Sequence, residues 1–285
     1  KIMSNKDTFI IDAVRTPIGK LGGTLSTVRT DDLAAHVIQS LLNRQDIDPS
    51  RIDDVIFGCA NQAGEDNRNI ARMALLLAGV PFTVPGETIN RLCASGMSAV
   101  IHSHRAIQSD DGDLFISGGV EHMTRGPWVI SKSTKPFGRD AKMYDSSFGW
   151  RFINPRLDEK YGAEGMGKTA ENIAMQYNIN REDQDAFAEW SQKKASKSQK
   201  NGRFQKEIIK VEIPQRKADS ILFDSDEFIK PNTSTEGLSK LKPVFKNNGT
   251  VTAGNSSGIN DGAAAMLTAS ESAINKHGLQ PLARI

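Results

Sequence analysis

The chain has 285 residues, of which 38% are hydrophobic and 25% are charged, and this composition is typical of a folded globular protein rather than a disordered one. Its 36 basic and 34 acidic residues leave a net charge of +2, so no overall field favours nucleic acid or an anionic membrane, and an anionic ligand must be bound by local contacts. No apolar run reaches the ~18 residues of a membrane span. The two cysteines, Cys59 and Cys93, are too few for a disulfide framework, and we expect a cytoplasmic protein.

The first 120 residues alternate short apolar β runs with helical patterns. Residues 9–14 are apolar and β-branched and predict a buried strand, after which Asp31 and Asp32 open a helix with one apolar face. Further strands are predicted at 52–59, 87–90 and 114–117, with one helix at 71–78 and another beginning just after Cys93. Strands and helices that alternate at this spacing predict an α/β fold of layered βαβ units around a mostly parallel central sheet.

The texture changes between residues 124 and 246, where Lys, Asp, Ser and Pro become more frequent and two helices are predicted at 169–177 and 181–200. We interpret this part as an inserted, α-rich loop subdomain. The α/β texture returns with a glycine-rich stretch at 253–262 and an apolar run at 263–268. We therefore predict three parts: a discontinuous N-terminal domain of residues 3–123 and 247–270, an inserted subdomain of residues 124–246, and the start of a C-terminal domain at 271–285.

Cys93 is the strongest candidate for a reactive residue. The predicted elements place it where a strand turns into a helix, in what we expect to be the first turn of that helix. Unpaired main-chain N–H groups and the positive end of the helix dipole stabilise a thiolate there, and only the thiolate is a good nucleophile. Ala94, Ser95 and Gly96 are small, so an acyl thioester could approach the sulfur.

Other uses of cysteine and histidine find less support. Cys59 ends an apolar strand and is predicted to be structural. A cysteine protease would need a partner histidine, and the chain's histidines carry no recognisable signature; they are His36, His102, His104, His122 and His277. His102 and His104 lie on different helix faces, so no pair or cluster has the spacing of a metal site.

Residues 162–169 (GAEGMGKT) satisfy the phosphate-binding pattern of nucleotide hydrolases. That pattern works only when a buried strand leads into the loop, and the preceding residues 154–161 (NPRLDEKY) do not form a core strand. We therefore favour a simple loop before a helix capped by Thr169, and keep a nucleotide-binding role, which would depend on Lys168, as a minor hypothesis.

Several motifs taken in order resemble the thiolase family, and the likeness runs along essentially the whole chain. They are residues 12–19 (DAVRTPIG), 90–97 (NRLCASGM), 118–123 (GGVEHM), 166–172 (MGKTAEN), 183–187 (DQDAF) and 249–263 (GTVTAGNSSGINDGA). Within the family, residues 58–69 (GCANQAGEDNRN) and 148–155 (FGWRFINP) look most like β-ketoadipyl-CoA thiolases, which split 3-oxoadipyl-CoA into succinyl-CoA and acetyl-CoA. A general acetoacetyl-CoA or 3-ketoacyl-CoA thiolase is the alternative.

The resemblance implies that the Cys93 thiolate attacks the 3-keto carbonyl, that acetyl-CoA leaves as an enolate, and that free coenzyme A resolves the acyl-cysteine. Coenzyme A would be a substrate, with no permanently bound cofactor. Carried over to this chain, Met166 would line the acyl pocket, and the pantetheine arm would contact Phe245, Ala253 and Ser257. The family's cation beside the nucleotide falls on Lys230 rather than an arginine, and Gly165 stands where many members have histidine.

Two motifs of the family do not occur in this sequence: Gly-His-Pro, which holds the activating histidine, and the motif of a second, acid/base cysteine. In the family both lie in a C-terminal domain, so we expect the 285-residue polypeptide to be truncated and inactive alone. We also expect a homodimer or homotetramer, and no nucleic acid or membrane partner. A non-catalytic CoA-binding or oligomerisation module is the alternative of a different class.

Overall fold

A computed structural model describes residues 6–61 and 64–285, so residues 3–5 of the predicted first domain and residues 62–63 of the motif at 58–69 lie outside the described part. The strands are β1 (Thr8–Arg15), β2 (Gly19–Lys20), β3 (Asp54–Gly58), β4 (Gly86–Ile89), β5 (Leu114–His122), β6 (Trp128–Ile130), β7 (Met143–Asp145), β8 (Val211–Ile213), β9 (Ile221–Phe223), β10 (Asn260–Ser270) and β11 (Ala283–Arg284). The helices are α1 (Thr30–Gln45), α2 (Ile70–Leu77), α3 (Ser95–Gln108), α4 (Pro155–Tyr161), α5 (Met166–Gln176), α6 (Arg181–Lys200), α7 (Thr235–Ser239) and α8 (Glu271–His277).

The chain forms two units. Unit 1 comprises Lys1–Gly126, Gln205–Glu227 and Asn260–Ile285, and unit 2 comprises Pro127–Phe204 and Phe228–Ile259.

Unit 1 is built on one sheet whose strands follow the order β11-β1-β10-β5-β3-β4, with β2 paired to β10. The predicted mostly parallel sheet is wrong, because the sheet is mixed. Among the described residues, the parallel pairs of this sheet are β3 with β4 and β3 with β5, whereas β10 lies between β1 and β5 and runs antiparallel to both. The local βαβ pattern does not reveal that a strand about 250 residues after β1 enters the sheet beside it.

Helices cover both faces of this sheet, and the alternation of side chains along β3 shows how. Val55 and Phe57 belong to the large core cluster that also contains the buried side chains of α1 and α2. Ile56 points the opposite way and belongs to a second cluster with Ala99 and Ile107 of α3. Since successive side chains of a strand project to opposite faces, α3 lies on the face opposite to α1 and α2, as the predicted layers require.

The segment 205–227 packs into unit 1 through apolar and ionic contacts: Val211, Ile213 and Phe223 belong to the large core cluster, and two carboxylates pair with Arg15 at the end of β1. The guanidinium Nε lies 2.8 Å from Oε1 of Glu207, and Nη1 lies 2.7 Å from Oδ1 of Asp226. The same segment contributes the β8–β9 hairpin.

Unit 2 contains α4 to α7 and the β6–β7 hairpin. The helix predicted at 181–200 has these bounds in the structure, and the Asn180 side chain accepts the Asp183 N–H at 2.8 Å as its N-cap. The helix predicted at 169–177 begins three residues earlier, at Met166, with Gly165 as N-cap, so the prediction of Thr169 as its cap is wrong.

The two units differ in bounds from the predicted domains. Residues 205–227 lie in unit 1 and residues 247–259 in unit 2, while α8 and β11 lie in unit 1, where β11 pairs with β1. The assignment of 271–285 to a following domain stays a prediction. Among the described residues, no helix is both long and apolar enough to cross a membrane.

Candidate active site

Cys93 lies in the short turn between β4 and α3, and its side chain is exposed. The expectation that it occupies the first turn of the helix is wrong by a small margin, since α3 begins at Ser95 and Ala94 is its N-cap. The sulfur still precedes the helix end whose N–H groups lack intrahelical partners. The turn therefore presents a thiol to solvent just ahead of a helix N-terminus. The N–H groups of Ala94 and Ser95 already donate to the carbonyl oxygens of Arg91 and Leu92, at 3.1 and 3.0 Å.

The backbone just before the thiol is held in an uncommon conformation. Leu92 has φ of +51°, the left-handed region, which costs a side-chain-bearing residue about 1–2 kcal/mol. Hydrogen bonds on both sides maintain it: the Leu92 N–H donates to Asn90 Oδ1 at 3.0 Å, and the Leu92 carbonyl accepts from Ser95 Oγ at 2.6 Å. The Ser95 hydroxyl also accepts the Arg91 N–H at 2.8 Å. Hydrogen bonds therefore hold the turn on both the N-terminal and the C-terminal side of Cys93.

Glycine at position 58 allows α3 to begin directly above the end of β3. A Cβ atom on Gly58 would lie 2.3 Å from the Ser95 carbonyl carbon and 2.4 Å from the Gly96 nitrogen. One at Gly119, its partner in β5, would lie 2.7 Å from the Gly58 carbonyl oxygen. Any larger residue at position 58 would push the helix start, and with it the thiol, away from the sheet.

Cys59 has the opposite environment, although it lies in the same unit. Its side chain is buried, and burial raises the pKa of the thiol, with the carboxylates of Glu121 and Asp66 raising it further. A sulfur held as a neutral thiol is a poor nucleophile. These contacts favour the structural role predicted for Cys59.

None of the five histidines is hydrogen-bonded to Cys93 among the described residues. Four have other partners: His36 Nε2 and His122 Nε2 contact the carbonyl oxygens of Lys210 and Leu25, His104 Nδ1 contacts Thr8 Oγ1, and His102 Nδ1 lies 3.3 Å from Glu87. A base for Cys93 is therefore not identified in the described part of the chain.

The five predicted coenzyme A contacts all lie in unit 2. Met166 is the first residue of α5, and 79% of its side chain is exposed. Phe245 packs against the same helix turn, because a Cβ atom on Gly167 would lie 2.3 Å from its ring. Met166 and Phe245 are therefore positioned by one helix end.

Lys230 and Ala253 line one open pocket of about 180 Å³. The Lys230 ammonium lies 4.9 Å from the centre of the Phe228 ring, and its main-chain N–H donates to Gln192 Oε1 at 2.8 Å. Ser257 is exposed, and its neighbour Gly258 packs closely on the same Phe228 ring. The Phe228 ring thus contacts both Lys230 and the glycine-rich segment. No motif in the sequence had indicated a role for Phe228.

Buried carboxylates fix that segment. Asp185 accepts from Asn255 Nδ2 at 2.9 Å, and Asn255 Oδ1 in turn accepts the Thr252 N–H at 2.7 Å. Glu171, only 4% exposed, accepts the N–H groups of Thr250 and Val251. Glu171 and Asp185 occur in the motifs at 166–172 and 183–187, but sequence alone gave no indication that they hold the 250–256 backbone.

The phosphate-binding pattern at 162–169 lacks its structural context. The helix α4, rather than a strand, precedes it, and Lys168 lies within the first turn of α5, where its ammonium is 3.0 Å from Glu164. Backbone N–H groups are therefore not wrapped around a phosphate site as the nucleotide hypothesis requires.

Comparison with known proteins identifies the family. The model of the thiolase N-terminal domain matches residues 8–272. The chain belongs to the thiolase family. It is 53% identical over 282 residues to the β-ketoadipyl-CoA thiolase of Pseudomonas aeruginosa, spanning 99% of this chain and 70% of that protein. It is 51% identical over 281 residues to the 3-oxoadipyl-CoA/3-oxo-5,6-dehydrosuberyl-CoA thiolase of Escherichia coli K12, spanning 98% of this chain and 70% of that protein.

Solved thiolase structures share the fold. The acetyl-CoA acetyltransferase of Bacillus anthracis aligns with a TM-score of 0.89 at 38% identity, covering 99% of this chain and 70% of that one. Human mitochondrial 3-ketoacyl-CoA thiolase, in a structure with CoA, aligns with a TM-score of 0.88 at 35% identity, covering 98% and 68%. The chain is thus a member of an acyltransferase family with a thiolase fold.

Proposed function

We propose that Cys93 is the nucleophile of a thiolase that cleaves 3-oxoadipyl-CoA with coenzyme A into succinyl-CoA and acetyl-CoA. The thiolate attacks the 3-keto carbon, the bond between C2 and C3 breaks, and its electron pair leaves on the acetyl-CoA enolate, which is then protonated. Free coenzyme A attacks the acyl-cysteine and returns the sulfur as thiolate. The observation that supports this role most directly is the exposed sulfur of Cys93 in a closed turn ahead of the α3 N-terminus.

Coenzyme A is the substrate that the unit 2 residues would bind. Met166 would contact the acyl group, Phe245, Ala253 and Ser257 the pantetheine arm, and Lys230 the nucleotide end. A lysine supplies a point charge to a phosphate but lacks the bidentate fork of arginine. The shared pocket of Lys230 and Ala253, and the packing of Phe245 on Gly167, support this assignment.

The substrate preference follows the curated relatives. β-Ketoadipyl-CoA thiolases of Pseudomonas and Acinetobacter are 51–53% identical to the chain, whereas the acetyl-CoA acetyltransferase of Chromobacterium violaceum is 45% identical. Acetoacetyl-CoA or another 3-ketoacyl-CoA is the second candidate substrate. We also propose that the enzyme is cytoplasmic, which the two free cysteines support, and homo-oligomeric.

The 285-residue polypeptide is proposed to be catalytically incomplete by itself. The family's Gly-His-Pro histidine and second catalytic cysteine have no counterpart in the sequence, and no imidazole contacts Cys93 within residues 6–61 and 64–285. We expect negligible thiolysis by this polypeptide alone; turnover comparable to that of a full-length thiolase would contradict this part of the proposal.

Selective alkylation tests the role of Cys93. With iodoacetamide at neutral pH, we expect Cys93 to be labelled at least about tenfold faster than Cys59, because the Cys93 sulfur is exposed, whereas Cys59 is buried and burial raises the pKa of its thiol. Peptide mass spectrometry measures both sites, with Cys93→Ser and Cys59→Ser as matched variants. Equal, slow labelling of both sites would favour the non-catalytic module instead.

Acyl transfer distinguishes the substrates. Incubation with succinyl-CoA or acetyl-CoA should leave the corresponding acyl group on Cys93, detectable by mass, and Cys93→Ser should remove it. Faster acylation by succinyl-CoA supports 3-oxoadipyl-CoA as substrate, whereas faster acylation by acetyl-CoA supports the acetoacetyl-CoA alternative.

A further inference from the structure

Three chain segments meet at one edge of the unit 1 sheet. The strands β5, β3 and β4 are adjacent and parallel, so their carboxyl ends lie side by side. Glu121 lies near the end of β5, Ala60 and Asn61 follow β3, and Asn90 follows β4. The turn that contains Cys93 begins at Asn90, so this edge of the sheet lies next to the turn.

The Glu121 carboxylate fixes the segment after β3. Its Oε2 accepts the Ala60 N–H at 2.8 Å, and its Oε1 accepts the Asn61 N–H at 3.1 Å. One carboxylate therefore satisfies two consecutive main-chain donors and aligns the peptide groups between them.

Asn90 extends these contacts to the turn. Its Nδ2 donates to the Ala60 carbonyl oxygen at 2.9 Å, and its Oδ1 accepts the Leu92 N–H at 3.0 Å. Leu92 is the residue in left-handed conformation directly before the thiol. A continuous series of hydrogen bonds thus runs from Glu121 through the Ala60 peptide groups and the Asn90 amide to the backbone that carries Cys93.

We propose that Glu121 is a positioning residue for Cys93, acting through the Ala60–Asn61 backbone and Asn90 to hold the turn in its reactive conformation; this rests on the proposed role of Cys93 as nucleophile. Neither Glu121 nor Asn90 contacts the substrate in this proposal. Their effect is to keep the sulfur at a fixed place relative to the start of α3.

Burial of Glu121 makes its ionised form less favourable than that of a solvent-exposed glutamate. Desolvation raises the pKa of Glu121, the main-chain N–H groups of Ala60 and Asn61 oppose that rise, and the Asp66 carboxylate adds to it. The Glu121 carboxylate presents a different oxygen to each N–H group, whereas in the same orientation a glutamine would place its NH₂ group against one of the two donors.

The test is Glu121→Gln with Asp53→Asn as matched control. Asp53 also accepts two consecutive main-chain N–H groups, at the opposite end of the sheet, but through one oxygen: its Oδ2 accepts those of Asp113 and Leu114 at 2.7 and 2.9 Å. Glu121→Gln should lower stability in urea more than Asp53→Asn does, because the asparagine oxygen can still accept both N–H groups. Only Glu121→Gln should slow iodoacetamide labelling of Cys93, by about fivefold to tenfold, and move the midpoint of its pH profile upward.

A second variant keeps the proposal testable if Glu121→Gln does not fold. Asn90 is exposed, so Asn90→Ala should fold, and it should slow labelling by a similar factor. In the double variant, labelling of Cys93 should be slowed by less than the product of the two single-variant factors, because Glu121 and Asn90 both act through the Ala60 main chain.

The outcomes separate this inference from the proposed function. If wild-type Cys93 is labelled no faster than Cys59, the nucleophile assignment itself fails. If wild-type Cys93 is fast and Glu121→Gln keeps its rate and pH midpoint, or Asp53→Asn changes them equally, only the positioning role of Glu121 is overturned.

Discussion

The two cysteines show how position decides the chemistry of one functional group. Cys93 could be selected from sequence, since the junction of a strand and a helix, followed by small residues, is a local pattern. Glu121 could not be selected in the same way. Its contact with Ala60 spans 61 positions of the chain, and only the parallel pairing of β3 with β5 brings the two together.

A titratable residue at the start of β3 allows a prediction about stability. Desolvation raises the pKa of Asp54 to about 6, partly opposed by the Val55 N–H, while Glu87 and Asp111 raise it further; an unperturbed aspartate has 3.8. The folded protein therefore binds this proton more tightly than the unfolded chain does. Through this group, the free energy of unfolding falls as the pH rises from about 4 to about 6.

Asp54→Asn removes that dependence while retaining an acceptor oxygen for the Val55 N–H. We expect the variant to be more stable than wild type at pH 7 by about 1 kcal/mol, allowing for solvent screening, and equally stable below about pH 4. Urea unfolding of both proteins between pH 4 and 7 measures the difference. A gain that does not change with pH would show that the titration of Asp54 is not its cause.

At the scale of elements, the position of α3 depends on the glycine at the end of β3. Gly58→Ala would place a methyl group 2.3 Å from the main chain of Ser95, and neither backbone can yield without moving the helix start. We expect a loss of about 3 kcal/mol in urea unfolding, at the upper end of overpacking effects, together with slower alkylation of Cys93.

Gly96→Ala is the control for this contact. Within the described part of the chain, its added Cβ atom would meet the Gly118 carbonyl oxygen at 3.8 Å, which is an ordinary contact. Alanine also favours a helix by up to about 1 kcal/mol over glycine. This variant should therefore be as stable as wild type or more so. Equal destabilisation by both substitutions would argue against close packing of Gly58 as the determining contact.

For the molecule as a whole, sequence predicted the elements better than their assembly. The bounds predicted for α6 agree with the structure, where Asn180 is its N-cap, and those predicted for β3 and β4 lie within two residues of the observed ones. The mixed sheet was missed because β10 pairs with β1 across most of the chain. The place of residues 205–227 was missed because it depends on distant contacts, with Arg15 and with the unit 1 core. Contacts between residues so far apart in the chain do not appear in the local hydrophobic pattern of the sequence.

Cys93 lies in unit 1 and Lys230 in unit 2, so we expect that coenzyme A binding and Cys93 reactivity can be impaired separately. The hydrogen bonds described around the Cys93 turn come from unit 1, and those around Lys230 come from unit 2. Lys230→Met should weaken binding of coenzyme A by about twofold to fivefold, less at high salt, because one exposed charge beside a phosphate is lost. It should leave pantetheine binding and Cys93 alkylation unchanged.

Isothermal titration with coenzyme A and with pantetheine measures both effects, and Lys240→Met is the matched control. Lys240 is another exposed unit 2 lysine, paired with Glu236 at 2.8 Å and absent from the lining of the Lys230 pocket. Cys93→Ser should show the converse pattern, with coenzyme A affinity retained and alkylation lost. If Lys240→Met weakens coenzyme A binding as much as Lys230→Met does, the charge acts as part of a general field, and Lys230 is not the local contact for the nucleotide end.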